Sequence, residues 1–176
     1  YHVSGGGGVK LVARANEALQ KELGEPVYAP DGSAVYYSRN VTPGPIFEYA
    51  QDSTQGTFAI ERYDLATGEV TTAVSGYGGA VRPQPSPDGR SLAFIRRDKD
   101  QTELWIKDLA SGEQRMIYGD LDMDMQETWA VHGFYPLIDW TPDGNALVLW
   151  AGGKLRRVAA DGSGDSVIPF SVNDTR

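Results

Sequence analysis

The tripeptide Pro-Asp-Gly occurs three times in this chain, and its spacing constrains the fold more than any other feature of the sequence. Its aspartates, Asp31, Asp88 and Asp143, are 57 and 55 residues apart, and each tripeptide precedes a short apolar run. Proline presets φ for the turn, aspartate bonds the following backbone, and glycine accepts the positive φ that closes the hairpin. One such turn is a common hairpin signal, but three with similar flanks at near-equal spacing indicate a repeat.

A second motif follows the first two copies of the tripeptide. It reads DLATGE at 64–69 and DLASGE at 108–113, and it is reduced in the third copy to the turn at 161–162. The runs between these turns have the length of β-strands, and in TELWIKDL the alternation places Leu104 and Ile106 on one side and Trp105 on the other. Each unit is therefore predicted to contain four strands, at 26–30, 34–40, 57–65 and 70–75, at 80–86, 91–98, 101–109 and 114–118, and at 134–141, 146–151, 154–160 and 166–170.

Four-stranded antiparallel units with this period are typical of propeller blades. The sequence thus predicts an all-β β-propeller segment of about three blades plus an extra strand from a preceding blade. The expected divisions are an outer strand at 1–14, a linker with the composition of a short helix at 15–25, blades at 26–76, 77–119 and 134–171, a long loop at 120–133 and the start of a further blade at 172–176.

Three blades leave unpaired edges, because propellers usually close with about four to eight blades. Two solutions are open. The chain is an interior segment of a longer polypeptide, which is the favoured interpretation, or two copies pair edge to edge into a six-bladed ring.

The repeat resembles a known family. The pattern PxxSPDGRSLAF…ELWIKDLASGE is similar to the repeat of TolB-type β-propellers, which the propellers of prolyl-oligopeptidase-like enzymes share. The segment DMDMQETWAVHGFYPLIDWTPDGNALVLWAGGKLRRV, with IPFSVNDTR after it, is similar to the propeller that precedes the catalytic domain in bacterial TolB-like amidohydrolase proteins. In such proteins the hydrolytic metal site belongs to the catalytic domain, so this resemblance places no catalytic residue, metal ligand or cofactor on this chain.

Composition excludes several function classes. A net charge of −8 argues against nucleic-acid binding, and the longest apolar runs are too short for a membrane helix. The absence of cysteine removes disulfides and thiolate chemistry, which is compatible with cytoplasm and periplasm alike. Only His2 and His132 are available as histidine ligands, and no Gly-x-Ser-x-Gly elbow or phosphate-binding loop has the required context.

The long insertions, at 15–24, 41–56 and 120–133, all fall at one end of the predicted blades, opposite the tight turns. Long loops gathered on one face of a rigid scaffold usually carry binding function. The alternating carboxylates from 120 to 124 lack the glycine and terminal glutamate of a calcium loop, so no metal is predicted there. The inner strands offer only Arg82 and Asp139 as charged side chains. The candidate residues of the binding face are Glu48, Tyr49, Asp122, Asp124, Glu127, Trp129, His132 and Tyr135.

The resemblance implies a non-catalytic propeller that packs on the catalytic domain of a larger hydrolase of the amidohydrolase kind and shapes substrate access. It also implies a periplasmic or secreted location, with the cytoplasm left open. Two alternatives stand beside it: a TolB-like protein-binding module of the cell envelope, and a propeller lyase or glycosidase. The expected partners are that catalytic domain or another protein, with self-association through the open edges as a further alternative and no nucleic acid or membrane insertion.

Overall fold

The computed structural model describes residues 5–13, 23–45, 56–121 and 137–173, and these ranges contain twelve β-strands and no helix. The strands form three four-stranded antiparallel sheets, each in sequential order, which confirms the predicted all-β propeller architecture. We name the sheets blades 1 to 3. Blade 1 comprises β1 Leu23–Tyr28, β2 Ala34–Asn40, β3 Phe58–Asp64 and β4 Val70–Val74. Blade 2 comprises β5 Val81–Pro85, β6 Ser91–Asp98, β7 Gln101–Asp108 and β8 Gln114–Tyr118. Blade 3 comprises β9 Ile138–Trp140, β10 Ala146–Ala151, β11 Lys154–Ala159 and β12 Asp165–Val167.

The Pro-Asp-Gly turns join the first and second strands of each blade, as the repeat predicted. In blade 2 the Asp88 carboxylate accepts hydrogen bonds from the Ser86 hydroxyl at 2.6 Å and from the Arg90 backbone N–H at 3.0 Å. In blade 3, Asp143 accepts the corresponding bonds from the Thr141 hydroxyl and the Asn145 backbone N–H. Each aspartate thus closes its turn by satisfying a backbone N–H that the hairpin would otherwise leave unpaired.

Packing between blades explains why the middle blade is apolar on both faces. Leu104 and Ile106 of β7 lie in the cluster that blade 2 shares with blade 3, whereas Trp105 packs in the cluster shared with blade 1. The predicted alternation of these three residues is therefore confirmed. In β6, four consecutive residues from Leu92 to Ile95 are buried, because both faces of this sheet are covered.

The loop from blade 1 to blade 2 is held by the end of β6. The Arg96 guanidinium lies 5.0 Å from the Phe94 ring centre and donates to the backbone carbonyl oxygen atoms of Gly79 and Ser75. Gly78 adopts a φ of +70° and its carbonyl oxygen accepts from the Arg97 backbone N–H at 3.2 Å. A Cβ atom at Gly78 would lie 1.7 Å from the Arg97 carbonyl oxygen, so only glycine allows this approach.

The structure departs from the sequence expectations at two places. The first strand begins at Leu23 rather than 26, because β1 continues through an irregularity between Gly24 and Val27 that no turn motif announced. Residues 5–13 form no strand, since an outer strand needs a hydrogen-bonded neighbour; the predicted boundaries, including the linker at 15–25, stay predictions. Among the tryptophans of the strands, Trp105 and Trp140 pack against the core clusters, whereas Trp150 is 42% exposed.

Stability should fall between pH 4 and pH 2. Hydrogen bonds to the Thr141 hydroxyl and the Asn145 backbone lower the pKa of Asp143 from 3.8 to about 2. The pKa of the other turn aspartates is lowered in the same way. Because these pKa values are depressed on folding, the stabilisation is present above the unfolded value of 3.8 and is lost as the pH drops towards 2. The residues concerned are Asp31, Asp64, Asp88, Asp108, Asp143 and Asp161.

Thermal melts from pH 2 to pH 5 measure this dependence. Asp143→Asn should flatten part of the slope, because it removes one of the titrating carboxylates. Asp100→Asn in the β6–β7 turn removes an equal charge outside these motifs and is the matched control. Equal slopes for both variants would show that the turn carboxylates are not the cause.

Gly78→Ala should destabilise the chain by roughly 2–4 kcal/mol, since a left-handed φ and a backbone clash act together. Gly112→Ala is the matched control, because Gly112 has a φ of +78° with no atom within 4 Å of the added Cβ. It should cost only about 1–2 kcal/mol. Denaturant unfolding measures both, and an equal loss would mean that the approach to Arg97 contributes nothing.

Candidate functional site

A partly buried ion pair joins the innermost strands of blades 1 and 2. The Arg82 Nε atom in β5 lies 3.1 Å from Oε1 of Glu25 in β1, and these side chains are 22% and 14% exposed. The second carboxylate oxygen, Oε2, accepts from the Arg82 backbone N–H at 2.8 Å and from the Ser38 hydroxyl at 2.7 Å. One carboxylate therefore binds a side-chain hydroxyl, a backbone donor and a guanidinium across the junction of two blades.

The backbone places these two side chains by the same device in each blade. Glu25 and Arg82 have φ values of 57° and 56°, and each lies where the pairing of an inner strand shifts register. A left-handed φ is rare for residues with a Cβ, and it persists where surrounding contacts hold it. The bulge also leaves the Arg82 N–H without a partner in its own sheet, and the Glu25 carboxylate supplies one.

Sequence reasoning singled out Arg82 but missed Glu25. The two residues are 57 positions apart, which is also the separation of Asp31 and Asp88. They are thus equivalent positions of successive repeats with opposite charge. Alignment of the repeats on their Pro-Asp-Gly turns would have revealed the pair. Asp139, the other charged inner-strand residue, lies in β9, where its carboxylate accepts from the Trp140 backbone N–H at 2.8 Å.

Three further positions are equivalent in blades 1 and 2 but carry residues of different chemical character. In blade 2, the Arg96 guanidinium lies within about 5 Å of the ring centres of Phe94 and Trp105. In blade 1 the equivalent residues are Arg39, Tyr37 and Glu61.

The blade 1 triad is ionic where the blade 2 triad is aromatic. The Arg39 Nη1 atom donates to Glu61 Oε1 at 3.1 Å, and the Tyr37 hydroxyl donates to Glu61 Oε2 at 2.6 Å. Burial, together with this hydrogen bond, raises the pKa of Tyr37 well above its ordinary range. The phenol therefore remains a hydrogen-bond donor at physiological pH.

Two clefts open between neighbouring blades, at the end of the blades where the Pro-Asp-Gly turns lie. The cleft between blades 2 and 3 has a volume of about 810 Å³ and is lined by the turns at 87–88 and 142–145 together with Arg115 and Arg157. The cleft between blades 1 and 2 has a volume of about 490 Å³ and is lined by the turns at 30–31 and 87–89 together with Arg62. Both are polar grooves rather than enclosed catalytic cavities.

All eight predicted binding-face residues lie outside the described residues, so their placement stays a prediction: Glu48, Tyr49, Asp122, Asp124, Glu127, Trp129, His132 and Tyr135. The same is true of His2 and of most of the three long loops. Within the part of the chain that the structure describes, no group of three or more His, Cys, Asp or Glu side chains is arranged to hold a metal ion. Likewise, none of the described segments is a helix long and apolar enough to span a membrane.

Comparison with solved structures decides the fold. TolB from Acinetobacter baumannii superposes with a TM-score of 0.62 and 21% identity, over 85% of this chain and 33% of that chain. This chain is a TolB-like β-propeller segment. The β-propeller domain of the trilobed protease from Pyrococcus furiosus superposes with a TM-score of 0.57 and 17% identity, over 85% of this chain and 43% of that one.

Sequence comparison adds relatives that are peptidases by name. The chain is 30% identical over 141 residues to the uncharacterized peptidase YuxL of Bacillus subtilis strain 168, which covers 80% of this chain and 19% of that protein. It is 25% identical over 130 residues to dipeptidyl-peptidase 5 of Porphyromonas gingivalis, which covers 70% of this chain and 17% of that protein. The chain therefore spans less than a fifth of the length of these curated relatives. No protein-family profile matches it.

Within a TolB-like propeller, the Glu25–Arg82 pair belongs to the inner ring of strands. Strand β5 contacts β1, β2, β3 and β9, so the first strands of the three blades lie side by side. The pair can fix the relative position of two blades and present charge at the inner ring. Among the described residues nothing equips it as a nucleophile or a metal site, because its carboxylate is already occupied by three partners.

Glu25→Ala should destabilise the chain by about 2–4 kcal/mol. It leaves the mostly buried Arg82 guanidinium and the Arg82 backbone N–H at the bulge without their carboxylate partner. Glu25→Gln keeps acceptor capacity and should cost less. Arg90→Ala provides the control: its 3.9 Å pair with Asp88 is exposed and should contribute less than about 0.5 kcal/mol.

Denaturant unfolding of Glu25→Ala, Arg82→Ala and the double variant gives the coupling energy of the pair. A coupling near zero would contradict a structural role for the ion pair.

Proposed function

We propose that this chain is the non-catalytic propeller portion of a larger peptidase, which packs against the catalytic domain and restricts the substrates that reach it. The observation that carries the proposal is the 30% identity to a peptidase along 80% of this chain. The match uses less than a fifth of that relative, so the remainder of such a protein has room for the catalytic machinery.

The contacts between blades support a restricting role. Apolar clusters, the Lys107 ammonium donating to the Ala73 carbonyl at 2.6 Å, and the Glu25–Arg82 pair join successive blades. A ring of sheets joined in this way resists opening, so long or folded polypeptides are excluded while short peptides pass. The partner under this proposal is a catalytic domain of the same polypeptide.

The amidohydrolase assignment that the sequence implied shares the hydrolase class with this proposal and stays a prediction. Its support is the resemblance of residues 122–158 and 168–176, many of which lie outside the described ranges. A TolB-like protein-binding module is the second candidate, and the fold likeness to TolB favours it. The predicted periplasmic or secreted location is part of this second candidate. Its support is the same likeness to TolB. A lyase or glycosidase has less support, because Arg82 is committed to Glu25.

Hydrolysis of peptide p-nitroanilides by the parent polypeptide tests the peptidase proposal. We expect the full-length protein to hydrolyse them and chain 1–176 to be inactive. Activity that a covalent hydrolase inhibitor abolishes and a chelator spares supports a nucleophilic peptidase. The reverse pattern supports the amidohydrolase, and an inactive full-length protein that captures another envelope protein supports the binding module.

Selectivity for substrate length tests the restricting role. In the full-length protein, Glu25→Gln should raise kcat/KM for an unstructured polypeptide of about 30 residues several-fold relative to a dipeptide substrate, because the contact between blades 1 and 2 loosens. Arg90→Ala, whose pair is exposed, should leave that ratio unchanged. A ratio that does not respond to Glu25→Gln would show that access is controlled elsewhere.

A further inference from the structure

Asp-Gly sequences occur in this chain at 31–32, 88–89, 143–144 and 161–162. An aspartate before a glycine is prone to isomerise spontaneously, because glycine has no side chain to shield its own backbone nitrogen. That nitrogen attacks the aspartate Cγ atom, a C–O bond of the carboxyl group breaks, and one water molecule leaves. Water then opens the resulting succinimide ring at either carbonyl and yields aspartate or isoaspartate. Each of the four sequences is therefore a candidate for chemical modification.

Access of water does not distinguish the four sites, since all four aspartates are exposed. Asp88, Asp143 and Asp161 line the same cleft of about 810 Å³ between blades 2 and 3. Asp31 and Asp88 likewise share the cleft of about 490 Å³ between blades 1 and 2. Any difference in their reactivity must therefore come from the hydrogen bonds within each turn.

Two hydrogen bonds are common to all four turns. The glycine N–H donates to the carbonyl oxygen three residues before it, at 2.8 to 3.0 Å. This bond must break before the glycine nitrogen can act as a nucleophile. The aspartate carboxylate also accepts from the backbone N–H of the residue after the glycine, which is Ser33, Arg90, Asn145 or Ser163. The shared backbone geometry thus gives every site the same first level of protection.

A further hydrogen bond is present in only two of the turns. Two residues before the aspartate, the Ser86 hydroxyl donates to Asp88 at 2.6 Å, and the Thr141 hydroxyl donates to Asp143. The equivalent residue in the other two turns is alanine: Ala29 and Ala159. The first two carboxylates are therefore held from both sides of the turn, and the other two only from the side after the glycine.

The additional bond opposes the attack in two ways. It fixes the carboxyl group, because the hydroxyl oxygens are themselves held as acceptors of the backbone N–H groups of Ser91 at 2.9 Å and Ala146 at 3.1 Å. The same bond is the main cause that lowers the pKa of Asp88, and that of Asp143 to about 2. An ionised carboxylate is a poor electrophile, since its oxygen leaves only after protonation. The pKa of the other two aspartates is also lowered, so the fixed orientation is the larger difference.

We propose that the folded chain forms isoaspartate at Asp31 and Asp161, the two aspartates with alanine two residues before them. The turns with a hydroxyl at that position are protected. Isoaspartate adds one carbon atom to the backbone of the turn. At Asp161 this change lies beside the Ala160 carbonyl oxygen, which accepts from the Arg115 guanidinium of blade 2 at 3.0 Å. Modification there therefore alters a contact between blades 2 and 3. The chemistry is independent of the proposed function.

Incubation of the folded chain at neutral pH in water labelled with heavy oxygen measures each site, because opening of the succinimide leaves one labelled oxygen atom in the product. Peptide mass spectrometry gives the labelled fraction at each aspartate. Asp31 and Asp161 should gain label about tenfold faster than Asp88 and Asp143, as expected for the loss of one hydrogen bond to a charged group. In the chain unfolded in urea, all four should react at similar rates.

Two variants exchange the environments of the first two turns. Ser86→Ala should raise the rate at Asp88 about tenfold, and Ala29→Ser should lower the rate at Asp31. Asp143 in the same molecule is the internal control. Its rate stays constant if the effect is local, whereas unfolding would raise the rate at every site together. Thermal melts check that both variants fold.

Two results would overturn the inference. Equal labelling of the four aspartates in the folded chain would show that the hydroxyls do not protect. A rate at Asp88 that ignores Ser86→Ala would show the same. If Ser86→Ala unfolds the chain, Ala29→Ser decides, because it adds a donor to an intact turn: an unchanged rate at Asp31 would then contradict the protective role.

Discussion

The sheets of this chain are stabilised mainly by the apolar contacts between neighbouring blades. A four-stranded sheet with apolar residues on both sides gains little by folding alone, and the clusters between blades supply the burial that each sheet lacks. The middle blade shows this fully, since four consecutive residues of β6 are inaccessible to solvent. Blade 3 shows the opposite case, since Trp150 and Leu155 are partly exposed on its face away from blade 2. The stability of each blade therefore depends on its contacts with neighbouring blades rather than on its own sheet alone.

The same positions serve different chemistry in successive blades. Where blade 2 places the Arg96 guanidinium over two aromatic rings, blade 1 pairs Arg39 with a carboxylate. Both arrangements satisfy a partly buried guanidinium, one through ring electrons and one through charge. The backbone repeat is thus more constant than its side chains, which explains why the turns identify the units and the interiors do not.

The sequence predicted the fold closely because its signals are local. The turns at Asp88 and Asp143 depend on hydrogen bonds within a few residues, and strand alternation around Trp105 follows from the two-residue period of a sheet. The sequence did not predict the Glu25–Arg82 pair, because the pair depends on the contact between two blades and on left-handed backbone at two residues that are not glycine. The predicted start of β1 was likewise wrong, because no sequence motif marks the register shift around Glu25 in its pairing with β2. The binding-face residues stay predictions, since no short-range rule places loops of that length.

The charge at the two bulges has a consequence for assembly. Successive blades are alike in size and strand order. While such a chain folds, two blades that are not neighbours in the sequence can therefore pack against each other. A carboxylate on blade 1 and a guanidinium on blade 2 make that junction directional, because a blade with an acidic bulge residue in the second position would place two carboxylates together. The equivalent position of blade 3 is Leu137, which carries no charge. The Glu25–Arg82 contact therefore favours a basic over an acidic residue at the bulge of the blade that packs after blade 1.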